Sequence, residues 1–245
     1  MVTPPRTVVT GGTRGIGAAV ARRLAADGHE VIALGRREGR APVAPGVRMD
    51  AADMVDPAAV GAAFAHANAD GAGLTGLVVS AGVWEPSPLG GELATASATF
   101  RRILDVNLLG AVHAAAAFLQ HARKGAHLSI VLVGSTAGQR GEPGYSAYSA
   151  SKAALSGLAK SWAVELAPRG IRVNVVAPGW VDTEMTESVL SDPPARASIE
   201  SSIPRGRVAS AADIAGPIVF LLSDDALHVT GTILSVNGGS VLGSS

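Results

Sequence analysis

Short apolar runs rich in β-branched residues recur along the chain, separated by polar turns or by longer amphipathic and alanine-rich stretches. They fall at residues 7–10, 30–34, 47–49, 76–79, 128–133, 172–177 and 233–236. Runs this short and uniformly apolar fit strands buried on both faces, and helices are expected at 16–27, 57–68, 97–123, 146–167 and 211–223. Seven buried strands alternating with helices predict one α/β domain, doubly wound, its seven-stranded parallel sheet flanked by helices. Residues 35–46 are too short and too rich in Pro and Gly for a crossover helix, so a loop is expected there. Residues 184–207 lack a strand partner and contain Pro193, Pro194 and Pro204. They follow a strand's carboxyl end, which suits a mobile substrate lid.

Composition narrows the function classes. A chain of 245 residues with no linker or repeat reads as a single domain, 1–245. A formal net charge of +0 with 16% charged residues gives no nucleic-acid footprint. The absence of cysteine excludes disulfides and thiolate chemistry and fits a reducing compartment. The six histidines form no metal-binding pair in sequence. The first apolar run begins too close to Met1 for a secretory signal, and the runs at 74–84 and 114–119 fall short of the roughly 20 residues of a membrane span. A soluble, cytoplasmic protein is expected.

Three groups of residues carry candidate chemistry. Thr10-Gly-Gly-Thr-Arg-Gly-Ile-Gly17 joins the first strand to the first helix. Gly11, Gly15 and Gly17 let the backbone turn tightly and approach a pyrophosphate, which the helix N-terminus favours. At that junction the motif predicts a Rossmann-type dinucleotide site rather than an ordinary turn. The second strand ends Leu34-Gly35-Arg36-Arg37, with no carboxylate for a ribose 2′-hydroxyl. Arg36, with Arg14, offers guanidinium groups to the 2′-phosphate of NADP; the alternative is that Arg36 and Arg37 are solvated loop charges. Tyr148 and Lys152 stand four apart on a predicted helix, a phenol and an ammonium on one face. A nearby cation favours the phenolate, so this pair predicts a lowered tyrosine pKa and a proton donor and acceptor for an alcohol/ketone couple.

Together these residues resemble the short-chain dehydrogenase/reductase family almost from end to end. The Thr10 to Gly17 spacing, Asn107 in Val-Asn-Leu, Ser135, Tyr148, Lys152 and Pro178-Gly179 stand in the family's order. The resemblance implies that Tyr148 is the general acid/base, that Ser135 bonds the substrate oxygen, and that Lys152 binds the nicotinamide ribose. It implies that Asn107 holds a water in a proton relay behind Lys152. It carries cofactor contacts to Gly11, Thr13, Arg14, Gly15, Ile16 and Gly17 of the turn, to Asp50 and Ala51 beside the adenine, and to Ser80, Ala81 and Gly82 beside the cofactor. Pro178, Gly179, Val181 and Thr183 match the nicotinamide-side loop. This chain departs in Ser80, which replaces a sheet-bracing asparagine, and in its shortened second crossover.

The resemblance therefore implies an NADP-dependent oxidoreductase acting on a ketone/secondary alcohol pair, most similar to 3-oxoacyl-(acyl-carrier-protein) reductases. A small cyclic alcohol or diol is the alternative substrate, and a non-catalytic cofactor-binding scaffold is the alternative of another class. Trp84, Gln139, Gly141, Tyr145 and Trp180 are candidate substrate-cleft residues. An acyl carrier protein would need a basic entrance, for which Arg123, Lys124, Arg169 and Arg172 are candidates. Small residues on the long helices match the family's paired-helix interface and imply a homotetramer.

Overall fold

The computed structural model describes residues 3–36, 43–90 and 92–242. In chain order the elements are β1 Arg6–Thr10, α1 Gly15–Ala26, β2 Glu30–Gly35, β3 Val47–Ala51, α2 Pro57–Ala67 and β4 Gly76–Val79. Then come α3 Leu93–Leu104, a π-helical turn Asp105–Leu109, α4 Gly110–His121, β5 Leu128–Val133, α5 Ala137–Arg140, α6 Ser146–Leu166 and β6 Ile171–Pro178. The last are β7 Val181–Asp182, α7 Glu187–Leu190, α8 Pro193–Ser201, β8 Ala209–Ser210, α9 Ala211–Leu222 and β9 Ile233–Val236.

The main sheet has seven parallel strands in the order β3-β2-β1-β4-β5-β6-β9. Side chains alternate across a strand, and here both faces are apolar. Val8, Leu77, Ile130 and Val175 pack with Phe64, Phe118 and Leu155 from α2, α4 and α6. Their neighbours Val9, Val78, Val131 and Val176 pack on the opposite face with Leu24, Ile214 and Ile218 from α1 and α9. The strand order reverses between β1 and β4, so the carboxyl ends of those strands diverge around a crevice.

Two expectations are corrected. The helix expected at 97–123 is interrupted, because the wider turn at Asp105–Leu109 inserts an extra residue between α3 and α4. The stretch from Leu93 to His121 has the length and mean hydropathy, 1.4, of a membrane span. It is a core helix, since Ile103, Ala111, Ala114 and Phe118 are buried. Segment 184–207 is largely structured: Pro193 and Pro194 open α8 rather than interrupt it, with the Asp192 carboxylate capping at Ala195 N, 3.3 Å. β7 pairs with β8 across the segment's two stems, and Leu190, Ile203 and Val208 bury against Trp180 and Ile199. Half of the predicted loop at 35–46, residues 37–42 with Arg37, lies outside the described residues.

Candidate active site

The turn from β1 into α1 is shaped by close backbone approach. Gly11 has φ +64°, and a Cβ there would stand 2.8 Å from Ala81 Cα. A Cβ on Gly17 would collide with the Gly11 carbonyl, so Gly17 permits helix–strand packing without lining the cleft. Gly11, Thr13, Arg14, Gly15 and Ile16 do line it, below the N-terminus of α1, where Arg14 makes no side-chain cap and leaves the first N–H groups free. Arg36 is exposed on the same wall. Across the turn Ala81 N donates to Thr10 Oγ1, 3.3 Å, and Ser80 N to Thr10 O, 3.2 Å, so Thr10 ties β1 to β4. Ser80, Ala81 and Gly82 line the same cleft.

Asp50 and Ala51 do not reach it. The β2–β3 ladder continues through Gly35 and Ala51, so both residues still belong to β3, and the Asp50 carboxylate bonds His66 Nδ1 at 2.6 Å. The cleft is lined instead by the next residues, Ala52, Asp53 and Met54, which follow the strand's carboxyl end.

Ser135 lies just beyond β5, and Tyr148 and Lys152 on the first turns of α6; all three line the cleft, which has a volume of about 200 Å³. Gly138 brings these elements together, since a Cβ there would stand 2.6 Å from the Lys152 carbonyl carbon. Lys152 Nζ donates to the Val133 carbonyl at 2.8 Å and lies 5.7 Å from the Tyr148 ring centroid. Burial pushes Lys152 down to about 8. The expected lowering of Tyr148 does not occur. Burial pushes the phenol up to about 12, outweighing the hydrogen bond to Ser135, which lowers it, while the Glu142 charge raises it further. Asn107 lies behind the cleft, 1% exposed, its Nδ2 donating to Val83 O and Ser151 Oγ, both 3.0 Å. Its Oδ1 accepts from Val83 N at 2.8 Å, which pins the β4 loop to α6.

Pro178, Gly179, Val181 and Thr183 form the opposite wall. Beyond Ser135 and Tyr148 the cleft opens into a chamber of about 70 Å³ lined by Trp84, Arg140, Gly141, Glu142, Trp180 and Met185, among others. Trp84 stacks on Tyr145 at 4.5 Å and 4°, and meets Trp180 edge-on at 5.8 Å and 84°. Gln139 does not line the chamber; its amide bonds Ser235 Oγ, 3.0 Å.

A family model described as enoyl-(acyl carrier protein) reductase matches residues 11–241. The 3-oxoacyl-[acyl-carrier-protein] reductase of Escherichia coli is 36% identical over 240 residues, covering 95% of each chain. The chain belongs to the short-chain dehydrogenase/reductase family. The cis-4-hydroxycyclohexanecarboxylate dehydrogenase of Sinomonas cyclohexanicum is 39% identical, over 95% of this chain and 94% of that one. Among solved structures, the ligand-free aldohexose dehydrogenase of Thermoplasma acidophilum superposes with a TM-score of 0.88 at 29% identity, covering 98% of this chain and 95% of the other. A short-chain type dehydrogenase/reductase of Mycobacterium ulcerans gives 0.89 at 28%, covering 97% and 90%.

In this short-chain dehydrogenase/reductase several cleft residues escaped sequence reasoning. Asp53 and Met54 were hidden by a strand that runs two residues longer than its apolar run. Gly138 and Val83 act through backbone position, which no residue type announces. Glu142 and Arg140 stand in no motif; their only signal was their place between Ser135 and Tyr148. The basic candidates are corrected outright. Arg123 and Lys124 follow α4, and Arg169 and Arg172 follow α6, so they sit at the amino ends of β5 and β6, opposite the cleft. Arg172 is buried, donating to the carbonyls of Leu221 and Ser223, and Arg123 donates to those of Ala72 and Pro4.

Proposed function

We propose that this chain is an NADP(H)-dependent oxidoreductase that interconverts a ketone and a secondary alcohol. The observation that carries the reading is the convergence of Ser135, Tyr148 and Lys152 on a cleft whose far end is the glycine turn flanked by Arg14 and Arg36. The site suits a dinucleotide phosphate: the positions where a Cβ would intrude are glycine, the α1 N-terminus is free, and Arg36 supplies a cation where a 2′-phosphate would lie. Asp53 offers an acceptor at the adenine end. When bound, the cofactor would supply or accept the hydride. The protein's own part is to hold the carbonyl oxygen between two hydroxyl donors, Ser135 and Tyr148, and to deliver the phenolic proton as negative charge develops there. Lys152 keeps a positive charge beside that proton at neutral pH, and Asn107 fixes the loop and helix that frame it.

Two substrate classes follow from different observations. The names of similar reductases point to 3-oxoacyl thioesters delivered by an acyl carrier protein. The chamber favours a compact cyclic alcohol or ketone, because its walls are aromatic planes and the cations expected to dock a carrier lie at the other end of the sheet. The name of the Sinomonas relative supports the same class. We also read the protein as a cytoplasmic homotetramer built on the outer faces of α4 and α6, where Val164 is 79% exposed. The test is NADPH and NADH oxidation with acetoacetyl thioesters, β-keto esters and cyclic ketones. Failure to turn over any of them while NADPH binds would leave a cofactor-binding scaffold.

A further inference from the structure

Hydride transfer needs Ser135, Tyr148 and Lys152, but the chamber beyond them holds an additional carboxylate, Glu142. Its side chain is half-buried in the same chamber lining as the Trp84 indole, and among the described residues it forms no ion pair. A carboxylate offers about four acceptor positions, of which a single indole N–H fills at most one. Arg140, on the same turn, donates toward the Ser240 carbonyl at 3.4 Å. Burial raises Glu142, with the Trp84 indole and the Arg140 charge opposing. Its charge is felt by both Tyr145 and Tyr148, so it lies within electrostatic reach of the reacting oxygen.

A carboxylate half-removed from water with acceptor positions to spare calls for a donor, and in a substrate chamber that donor is on the substrate. Trp84 and Trp180 meet nearly at right angles, a corner of flat apolar surface that suits a ring better than an extended chain. We propose that Glu142 is a hydroxyl-accepting subsite, and that the chamber takes a neutral cyclic hydroxyketone or the corresponding diol, its ring against the tryptophans. This rests on the cyclic-alcohol reading above and names the group that reading lacks, a second hydroxyl. An anionic substituent is disfavoured beside Glu142 unless Arg140 turns inward to meet it.

The experiment measures kcat/KM with NADP⁺ for cyclohexanol and for cyclohexane-1,2-, 1,3- and 1,4-diol in wild type, Glu142→Gln and Glu142→Ala. Tryptophan fluorescence of the NADP⁺-loaded enzyme reports binding of the same compounds independently of turnover. Wild type should favour at least one diol over cyclohexanol by about tenfold or more, the size expected for a hydrogen bond to a charged acceptor. That ratio should fall close to one in Glu142→Ala, while Glu142→Gln, which keeps an acceptor oxygen, retains part of it. Turnover without preference for any diol would overturn the subsite and leave the oxidoreductase standing. Diol binding by fluorescence, sensitive to Glu142→Ala but without turnover, would uphold the subsite and sink the proposed reaction. A preference for 4-hydroxycyclohexanecarboxylate over every diol, or no response to any compound, would also overturn the subsite.

Discussion

Replacing Lys152 by Met should stabilise the cofactor-free protein while abolishing turnover. The ammonium is buried, 6% exposed, and among the described residues its one hydrogen-bond partner is the Val133 carbonyl at 2.8 Å. Depressing it from 10.5 to about 8 costs the folded state about 3 kcal/mol at pH 7. Methionine has a similar length, carries no charge, and leaves the Val133 carbonyl unpaired at a cost of about 1 kcal/mol. The net gain is then about 2 kcal/mol, a rise in Tm of about 5 °C for a domain of this size. The sign with pH follows from linkage. Below pH 8 both folded and unfolded chains hold the lysine proton, and the wild type bears the whole penalty. Between pH 8 and 10.5 the folded protein releases that proton first, so the wild type gains stability as pH rises and approaches the variant. Urea unfolding of both proteins, cofactor-free and at one protomer concentration, should show the gap shrinking from about 2 kcal/mol at pH 7 to below about 1 at pH 9.5. A variant less stable than wild type at pH 7, or a gap that does not change with pH, would refute the reasoning.

Tyr148→Phe removes the phenolic proton and leaves the ring, so kcat should drop by about a thousandfold while NADPH binding measured by fluorescence is retained. A rate within tenfold of wild type would take Tyr148 out of the acid/base role. Wild type should prefer NADPH to NADH in kcat/KM, and Arg36→Asp should weaken or reverse the preference by setting a carboxylate against the 2′-phosphate; a native preference for NADH would sink the assignment. Light scattering at micromolar concentration should give four copies, and a monomer would remove the paired-helix interface.

The sheet was legible because strands buried on both faces must be apolar throughout, so each announces itself as an uninterrupted run. The ends were less legible: Asp50 and Ala51 continue the ladder of β3 with side chains only partly buried, and this drew the expected adenine contact to Asp50 rather than to the cleft-lining Asp53. The break between α3 and α4 was invisible because Asp105 to Leu109 are acceptable helix residues; the extra residue of the π turn accompanies an inward Asn107, 1% exposed, bonded across to Ser151. The basic cluster was legible as charge and wrong as location, since a helix returning to a parallel sheet ends at the amino edge of the next strand, away from the crevice. The candidate catalytic residues came from a spaced pattern of rare side chains. Glu142 came only from tertiary proximity.

Burial drives the candidate catalytic pair, Tyr148 and Lys152, in opposite directions on the pH scale, and both shifts favour the neutral form. Tyr148, near 12, holds its proton through the whole neutral range, and Lys152, near 8, remains mostly charged at pH 7. The resting cleft therefore presents a ready proton donor beside a cation, the state required to protonate a carbonyl oxygen as it gains charge. Alcohol oxidation needs the phenolate, and the resting arrangement opposes it: the ammonium bonds Val133 rather than the phenol, and Glu142 adds negative charge nearby. A substrate hydroxyl donating to Glu142 would disperse part of that charge, lower the phenol and ease proton removal. The subsite that selects the second hydroxyl thus bears on the same titration that sets the direction of proton transfer, which ties substrate choice to chemistry through a single carboxylate.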